Sequence, residues 1–327
     1  MALTDTAPGA GAPPAPLRVA TEPVARGRTR RRAAGRPVWM EAPSLPMQLA
    51  KAVLLAAVMV AVLFPFVYVL AVSFSSERDI LGGGLILFPQ HPTLEAYQAL
   101  LRGGVVVRSL EVSVGLVTIG TTVKMLFTIA LAYGLSKSGV PGAKPVLLMV
   151  LGTLLFSPGL IPSYLLVKGL GMIDTYQSLI LPGLISAFNL IVLRNFFMNI
   201  PQELLEAARL DGASDWQVLW RLVLPLSAAA LAVVALFYGV GIWDAFFNAI
   251  LYLNDASKWP IQVVLQQYVL QGSALASAAQ LDPNQPPPPT ETIQMAIIVL
   301  ATVPILLVYP FLQRYFTKGV LTGAIKG

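Results

Sequence analysis

The feature that most limits how this chain can fold is a series of long apolar runs almost free of charge. The first extends from about Leu49 to Phe74. Five more follow near Val107–Leu135, Val146–Val167, Leu179–Met198, Val223–Leu251 and Ile293–Phe311. About 20 apolar residues in helical form cross the hydrocarbon core of a bilayer. Inside lipid every backbone N–H and C=O needs an internal partner, so such runs are expected to be helices. The sequence therefore predicts an all-α integral membrane protein with six transmembrane helices. Pro65 lies inside the first run, where neighbouring groups can satisfy the carbonyl it frees.

Charge agrees with this class. Charged residues are 12% of the 327 and hydrophobic residues 56%, against about 25% charged in soluble domains. The remaining charge is too sparse to cover a water-facing surface. The chain has no cysteine, which removes disulfides, thiolate nucleophiles and cysteine zinc sites. Its one histidine, His91, precedes Pro92 in a polar loop. A single imidazole makes no metal site, so neither a metal nor a cofactor is expected on this chain.

The formal net charge of +6 could indicate nucleic acid, but the placement of the charges argues against it. Residues 1–46 are rich in Ala, Pro and Arg and carry Arg26, Arg28, Arg30, Arg31, Arg32 and Arg36. They lack the apolar surface that would offset the entropy of ordering. This segment is expected to be a disordered, basic cytoplasmic N-terminus preceding a membrane domain over 47–327. With the N-terminus inside, the inner loops also hold Lys51, Lys137, Lys144, Arg194, Arg209, Arg221, Arg314, Lys318 and Lys326. The outer loops hold only Arg78, Arg102, Arg108, Lys168 and Lys258. Positively charged loops stay on the cytoplasmic side, so both termini are expected in the cytoplasm. Two outer loops are long, near 75–106 and 252–292. The second contains Pro286-Pro287-Pro288-Pro289, a polyproline spacer by composition, and its stretch Ile261–Leu270 is amphipathic enough for a short surface helix.

The most informative stretch is the loop 201–222. Pro201 suits the start of a helix. Glu203 and Glu206 near that start complement its dipole. Gly212 suits its end, where a left-handed residue is wanted. Ser214 or Asp215 can cap a second helix. The pattern predicts two short helices joined by a sharp bend. Ala207 and Ala208 give it a low-profile surface, with Glu206, Arg209 and Asp211 as charges around it. It reads as a docking knob for another protein.

Glu206-Ala207-Ala208, Gly212, Leu222 and Leu224-Pro225 resemble the EAA loop of binding-protein-dependent ABC importer permeases. Leu222 stands where the family more often has isoleucine. The resemblance runs from about Leu49 to Gly327. The stretch Phe237-Tyr238-Gly239-Val240-Gly241-Ile242-Trp243-Asp244-Ala245-Phe246-Phe247-Asn248 is similar to the fifth span of carbohydrate permeases. The tail from Gln313 to Gly327 is similar to that of the maltose-type inner-membrane subunit. The subgroup it most resembles carries oligosaccharides and lipo-oligosaccharides, although the proline-rich insert is longer than that pattern.

The resemblance implies a type I ABC importer permease (MetI-like) fold in the bacterial cytoplasmic membrane. It implies a second homologous permease subunit, two ABC ATPase subunits that bind ATP and Mg, an external solute-binding protein and a carbohydrate substrate. Glu206, Ala207, Ala208, Arg209, Asp211 and Gly212 would then form the coupling helix on the ATPase, with the C-terminal tail also reaching it. The sequence contains no G-x-x-x-x-G-K-[ST] phosphate loop, in keeping with a separate motor.

Polar residues within the spans suggest the substrate pathway. Lys124 lies about ten residues, roughly 15 Å, from the helix end at 1.5 Å per residue. That is far for snorkelling, so an interior position is expected. Asn189, Tyr238, Trp243, Asp244 and Asn248 offer amide, hydroxyl, carboxyl and aromatic groups of the kind that bind sugars. The same groups also stitch membrane helices together. Arg108 and Glu111 share a helix face as a structural pair. Two other classes remain open on residues alone: a permease for a non-sugar solute and a stand-alone secondary transporter. An intramembrane enzyme would need a nucleophile–base pair or a metal cluster, and the runs carry no histidine or cysteine.

Overall fold

The computed structural model describes residues 45–102, 104–271 and 290–324, with residues 271 and 311–324 as backbone only. Residues 1–44 of the basic N-terminal segment and the run Pro286–Pro289 lie outside the described residues.

Among the described residues all regular structure is helical. The chain divides into two compact units, Met1–Ala57 and Val58–Gly327. In the first, the described residues are one apolar helical run. This run belongs to α1 (Leu45–Ser73), which contains Pro65 and buries only Ala71, Val72 and Ser73.

The second unit continues with α2 (Glu77–Leu81), α3 (Glu95–Arg102) and the long α4 (Val105–Ser136). Next come α5 (Ala143–Leu155), α6 (Leu160–Gly169), α7 (Gln177–Ile180) and α8 (Ala187–Met198). The docking loop forms α9 (Gln202–Leu210) and α10 (Asp215–Val218), then a π-turn over Leu219–Val223 and the single turn α11 (Leu224–Leu226). It is followed by α12 (Ala228–Trp243), α13 (Phe246–Tyr252), α14 (Ile261–Gln271) and α15 (Thr290–Ala324).

By length and composition, three helices can cross a membrane: Leu45–Ser73, Val105–Ser136 and Thr290–Pro310. The bent pair Asp215–Leu226 and Ala228–Trp243, turned by 83°, makes a fourth if taken as one span. The other expected spans are interrupted. The run 146–167 is not one helix but α5 and α6, parted by Phe156-Ser157-Pro158-Gly159. Gly159 has φ 80° and Pro158 has no N–H to give. The run 179–198 is likewise divided between α7 and α8 at Pro182-Gly183, and α8 restarts from Ser186, whose Oγ accepts from the Asn189 N–H at 3.4 Å. The run 223–251 breaks at Ser227 and again at Asp244-Ala245. In each case the apolar composition is continuous and the backbone is not. A 13-residue helix such as α5 is about 20 Å long, short of the ~30 Å hydrocarbon core.

Two apolar cores sit toward opposite ends of α4 and α12. One gathers Ala96, Leu100, Val106, Trp243, Ile261, Val264, Tyr268, Ile293, Ala296, Ile297 and Ala301. The other gathers Ala132, Leu135, Leu190, Leu193, Phe197, Ile200, Val218, Leu219, Val223 and Ala230. A smaller cluster of Val112, Leu116, Ile180 and Ile242 lies between. The helix expected at Ile261–Leu270 forms, but it is not a surface helix: Ile261, Val263, Val264 and Tyr268 are buried. Their spacing puts one face of α14 inward, where the Ser113 hydroxyl on α4 accepts the Ile261 N–H at 2.7 Å.

Near the same end, Asp174 ties two loops together. Its φ of 59° is left-handed, its N–H donates to the Tyr252 carbonyl at 2.7 Å, and its Oδ1 accepts from the N–H groups of Asn254 and Asp255, each at 3.0 Å. Lys258 Nζ completes the clamp at 2.6 Å from Oδ2. This hydrogen bond, with help from the two backbone donors, holds the Asp174 carboxyl below the usual carboxylate range. Arg108 and Glu111 pair at 3.4 Å, both exposed, as their spacing on α4 suggests.

Candidate functional site: an exposed helical hairpin and a buried polar waist

The hairpin is built from its backbone outward. Pro201 is the N-cap of α9, one position earlier than the first turn, with ψ 128°. Asp211 is its C-cap, and Gly212 follows with φ 84°. The Gly212 N–H donates to the Arg209 carbonyl and the Ala213 N–H to the Ala208 carbonyl, each at 3.0 Å. This paired closure is the Schellman arrangement, which needs a left-handed residue at the position Gly212 holds. Ser214 then caps α10 in a reciprocal box: its Oγ accepts from the Gln217 N–H at 3.3 Å, and its own N–H donates to Gln217 Oε1 at 2.9 Å. Leu205, Ala208, Ala213 and Leu222 pack inward on the adjacent core.

The opposite face is open. Glu206, Ala207, Arg209, Asp211 and Gly212 are exposed, and Ala208 is half-buried. Leu210 is 88% and Trp216 67% exposed, and Trp216 meets Trp220 edge-on at 5.6 Å between ring centroids. A face that combines two Trp, a fully presented Leu and charges has the composition of a protein contact.

Asp215 anchors the hairpin to the end of α4. Its carboxylate lies 2.8 Å from Lys137 Nζ and 3.6 Å from Arg209, and its carbonyl accepts from the Tyr133 hydroxyl at 3.1 Å. The Lys137 ammonium also lies 4.2 Å from the Tyr133 ring centroid. The hydrogen bond from Lys137 holds the Asp215 carboxyl below its ordinary range. A cleft of about 250 Å³ opens beside this brace, lined by Tyr133, Lys137, Val140, Gln202, Leu205 and Arg209 among others. On α8, Arg194 Nε donates to the Leu135 carbonyl at 2.9 Å, placing a cation at the C-terminal end of α4, where the helix dipole favours one. Sequence reasoning placed Lys137 only among the inner-loop charges and did not name Tyr133. Their part depends on where α4 stops relative to α10, which no local pattern encodes.

The polar residues proposed for the pathway separate into two groups. Lys124 and Tyr238 meet at the middle of the bundle, and Asn189 lies one turn beyond Ser186, which Tyr238 holds. Lys124 is buried, 9% exposed, with Nζ 5.9 Å from the Tyr238 ring centroid. The Tyr238 hydroxyl shares a 2.7 Å hydrogen bond with Thr128 on α4 and accepts the Ser186 N–H at the start of α8 at 2.9 Å. Asn189 is buried one turn further along α8. Trp243, by contrast, lies in the core that includes α14, its Nε1 donating to the Ala301 carbonyl at 3.2 Å. Asp244, the C-cap of α12, and Asn248 on α13 are exposed.

Comparison with known proteins gives the same overall picture. Residues 125–322 match the family described as binding-protein-dependent transport system inner membrane component. The polygalacturonan/rhamnogalacturonan transport system permease protein YtcP of Bacillus subtilis is 46% identical over 80% of this chain and 92% of its own length. Protein LplC of the same organism is also 46% identical, over 81% of this chain and 90% of its own. A crystal structure of a bacterial ABC transporter involved in the import of the acidic polysaccharide alginate contains a chain that superposes with a TM-score of 0.78 at 30% identity, covering 85% of this chain and 100% of that one. With the family matched over more than half the sequence and the relatives aligned over most of their length, the chain belongs to the binding-protein-dependent transport system inner membrane components, the permeases of ABC importers.

Proposed function

We propose that this chain is one of two pore subunits of an ABC importer for an oligosaccharide, and that the α9–α10 hairpin is where it engages the ATPase. The observation that carries the reading is the hairpin itself: a rigid, capped bend at Gly212 that presents Glu206, Ala207 and Arg209 to solvent and is braced to α4 through Asp215 and Lys137. Such a knob suits a partner that pushes on the bundle. The named substrates of the relatives, polygalacturonan, rhamnogalacturonan and alginate, support a carbohydrate.

In this reading the membrane domain is 47–327. The broken runs α5–α6 and α7–α8 and the bent run through α12 each make one crossing, giving six with the three continuous helices. The basic segment 1–46, the hairpin and the C-terminus face the cytoplasm, as the placement of Lys and Arg favours. The partners are a second homologous permease, two ATPase subunits that hold ATP and Mg, and an external solute-binding protein. Asn189, Lys124 and Tyr238 are the pathway residues, while Trp243 holds helices together and Asp244 and Asn248 remain candidates at the mouth. The exposed apolar flanks of α1, α5 and α6 suit lipid and the second permease.

The test is affinity purification of this chain from its native membrane in mild detergent, as wild type and as the Glu206→Ala and Gly212→Val variants. Recovery of an ATPase and a second permease with wild type, with the ATPase lost from the variants, supports the reading. Recovery of wild type alone refutes it.

A further inference from the structure

We infer that the centre of the bundle is an anion site that takes the carboxylate of an acidic sugar, with Lys124 as the charge that binds it. The inference rests on the oligosaccharide-import reading and narrows its substrate to uronic-acid chains. Lys124 is buried on α4 against Tyr238 of α12 and the turn at Gly183, and among the described residues no carboxylate lies within ion-pairing range of it. Its Nζ has the Tyr238 ring on one side. On another it faces the bare backbone of Gly183, where an added Cβ would lie 3.5 Å away. A buried ammonium with no counter-charge is costly, and a ring face 5.9 Å away offsets little of that cost.

Two neutral polar groups on the neighbouring turns of α4 and α8 also lack partners. Thr121 Oγ1, one turn before Lys124 on α4, is fully buried and makes no hydrogen bond among the described residues. The Asn189 side-chain amide, on a residue 4% exposed, makes none among the described residues. Tyr238 is not available in the same way, because its hydroxyl is held by Thr128 and Ser186. One unpaired amide and one unpaired hydroxyl match the hydroxyls of any sugar. The unpaired cation does not: a neutral sugar leaves it uncompensated, whereas a carboxylate neutralises it. The need is mutual, because a uronate crossing an apolar bundle carries its own desolvation cost.

A carboxylate could instead come from the second permease subunit, and the experiment separates the two sources. The complete transporter, with both permeases, the ATPases and the binding protein, is reconstituted in proteoliposomes. ATP-dependent uptake of trigalacturonate is compared with uptake of its carboxyl-reduced, neutral trisaccharide. Lys124→Met keeps the length of the side chain and removes the charge, and Lys124→Arg keeps the charge. The expected result is a loss of about tenfold or more in trigalacturonate uptake for Lys124→Met, the size of one charged hydrogen bond. Neutral uptake should fall much less, so that the ratio of acid to neutral uptake drops about tenfold, and Lys124→Arg should retain the preference for the acid. Equal loss of both substrates in Lys124→Met, or no loss of either, overturns the inference. Reduced recovery of the second permease with Lys124→Met assigns the counter-charge to the subunit interface and overturns it as well. Wild-type uptake of the neutral sugar but not of the acid overturns the anion site and leaves the import reading standing. Uptake of neither by wild type removes both.

Discussion

Replacing Gly212 separates two explanations of the hairpin that otherwise agree. The residue sits at φ 84°, and a Cβ built on it meets nothing within 4 Å. Any cost of substitution within this chain is therefore conformational and not steric. Left-handed backbone costs an ordinary L-residue about 1–2 kcal/mol, and asparagine tolerates it better than alanine does. A β-branched residue tolerates it least. Since 1.4 kcal/mol is tenfold in population, Gly212→Val should depopulate the bent hairpin by about tenfold or more. The assay is binding-protein-stimulated ATP hydrolysis and substrate uptake by the reconstituted complex, normalised to the amount of chain in the membrane. If the backbone angle governs coupling, activity falls in the order Gly, Asn, Ala, Val. If position 212 is instead a surface where the partner needs a small residue, Ala is tolerated best and Asn and Val fail together. The second order would refute the backbone argument, and full activity in Gly212→Val would refute the assignment of the hairpin to coupling.

The brace at Asp215 should behave as an exposed ion pair: a double-mutant cycle of Asp215→Asn with Lys137→Met is expected to give a coupling energy of about 0.2–1 kcal/mol in thermal unfolding of the complex, weakening with salt. Because the folded carboxyl is held below its ordinary value, that contribution is present above the unfolded carboxylate range near pH 4 and lost as pH falls through the lowered folded value, and a contribution that grew on acidification would contradict it. At the other end, Asp174→Ala removes the acceptor for two backbone N–H groups and Lys258 while leaving a left-handed non-glycine residue. Limited proteolysis should then cut the 252–260 loop faster, with Asp174→Asn intermediate and Lys258→Met milder than either. Tyr238→Phe strips the partner from both Thr128 and the Ser186 N–H, so the complex should lose about 1–3 kcal/mol in denaturant or thermal unfolding, and an unchanged midpoint would show that these bonds are not made in the assembled transporter.

Much of this arrangement was legible in the sequence, for physical reasons that can be named. Helices set by a single long apolar run, such as α1 with its tolerated Pro65 and the proline-free α4, were placed within a few residues of their observed ends. The hairpin was legible because its determinants are local: Gly212 for the left-handed turn and Ser214 or Asp215 for the cap, of which Ser214 serves, with Gln217 completing the box. The interior position of Lys124 followed from its distance to the helix end. What failed was continuity. Pro158-Gly159, Pro182-Gly183 and Ser227 break runs that stay apolar when averaged over the length of a span, because a hydropathy average reports solvent preference and not backbone dihedrals. The helix α14 was found, but its inward face was missed, because its partners Ala96, Val106 and Ile297 come from distant parts of the chain. Trp243, Asp244 and Asn248 were grouped with Tyr238 by adjacency in sequence. The end of α12 after Trp243 sends them to different surroundings from the waist.

The distribution of packing along α4 and α12 has a mechanical meaning. Both helices are gripped at their ends by large interlocking side chains, and between those grips they cross at thin residues. Gly120 lies so close to Ile242 that a Cβ there would come within 2.8 Å of its Cδ1, and Gly239 rests beside Thr121 and Val117. Small residues let the two backbones meet with little interdigitation, which is how an axle differs from a gear. If a partner loads the hairpin, this contact is where α4 and α12 would tilt against each other with the least repacking of side chains.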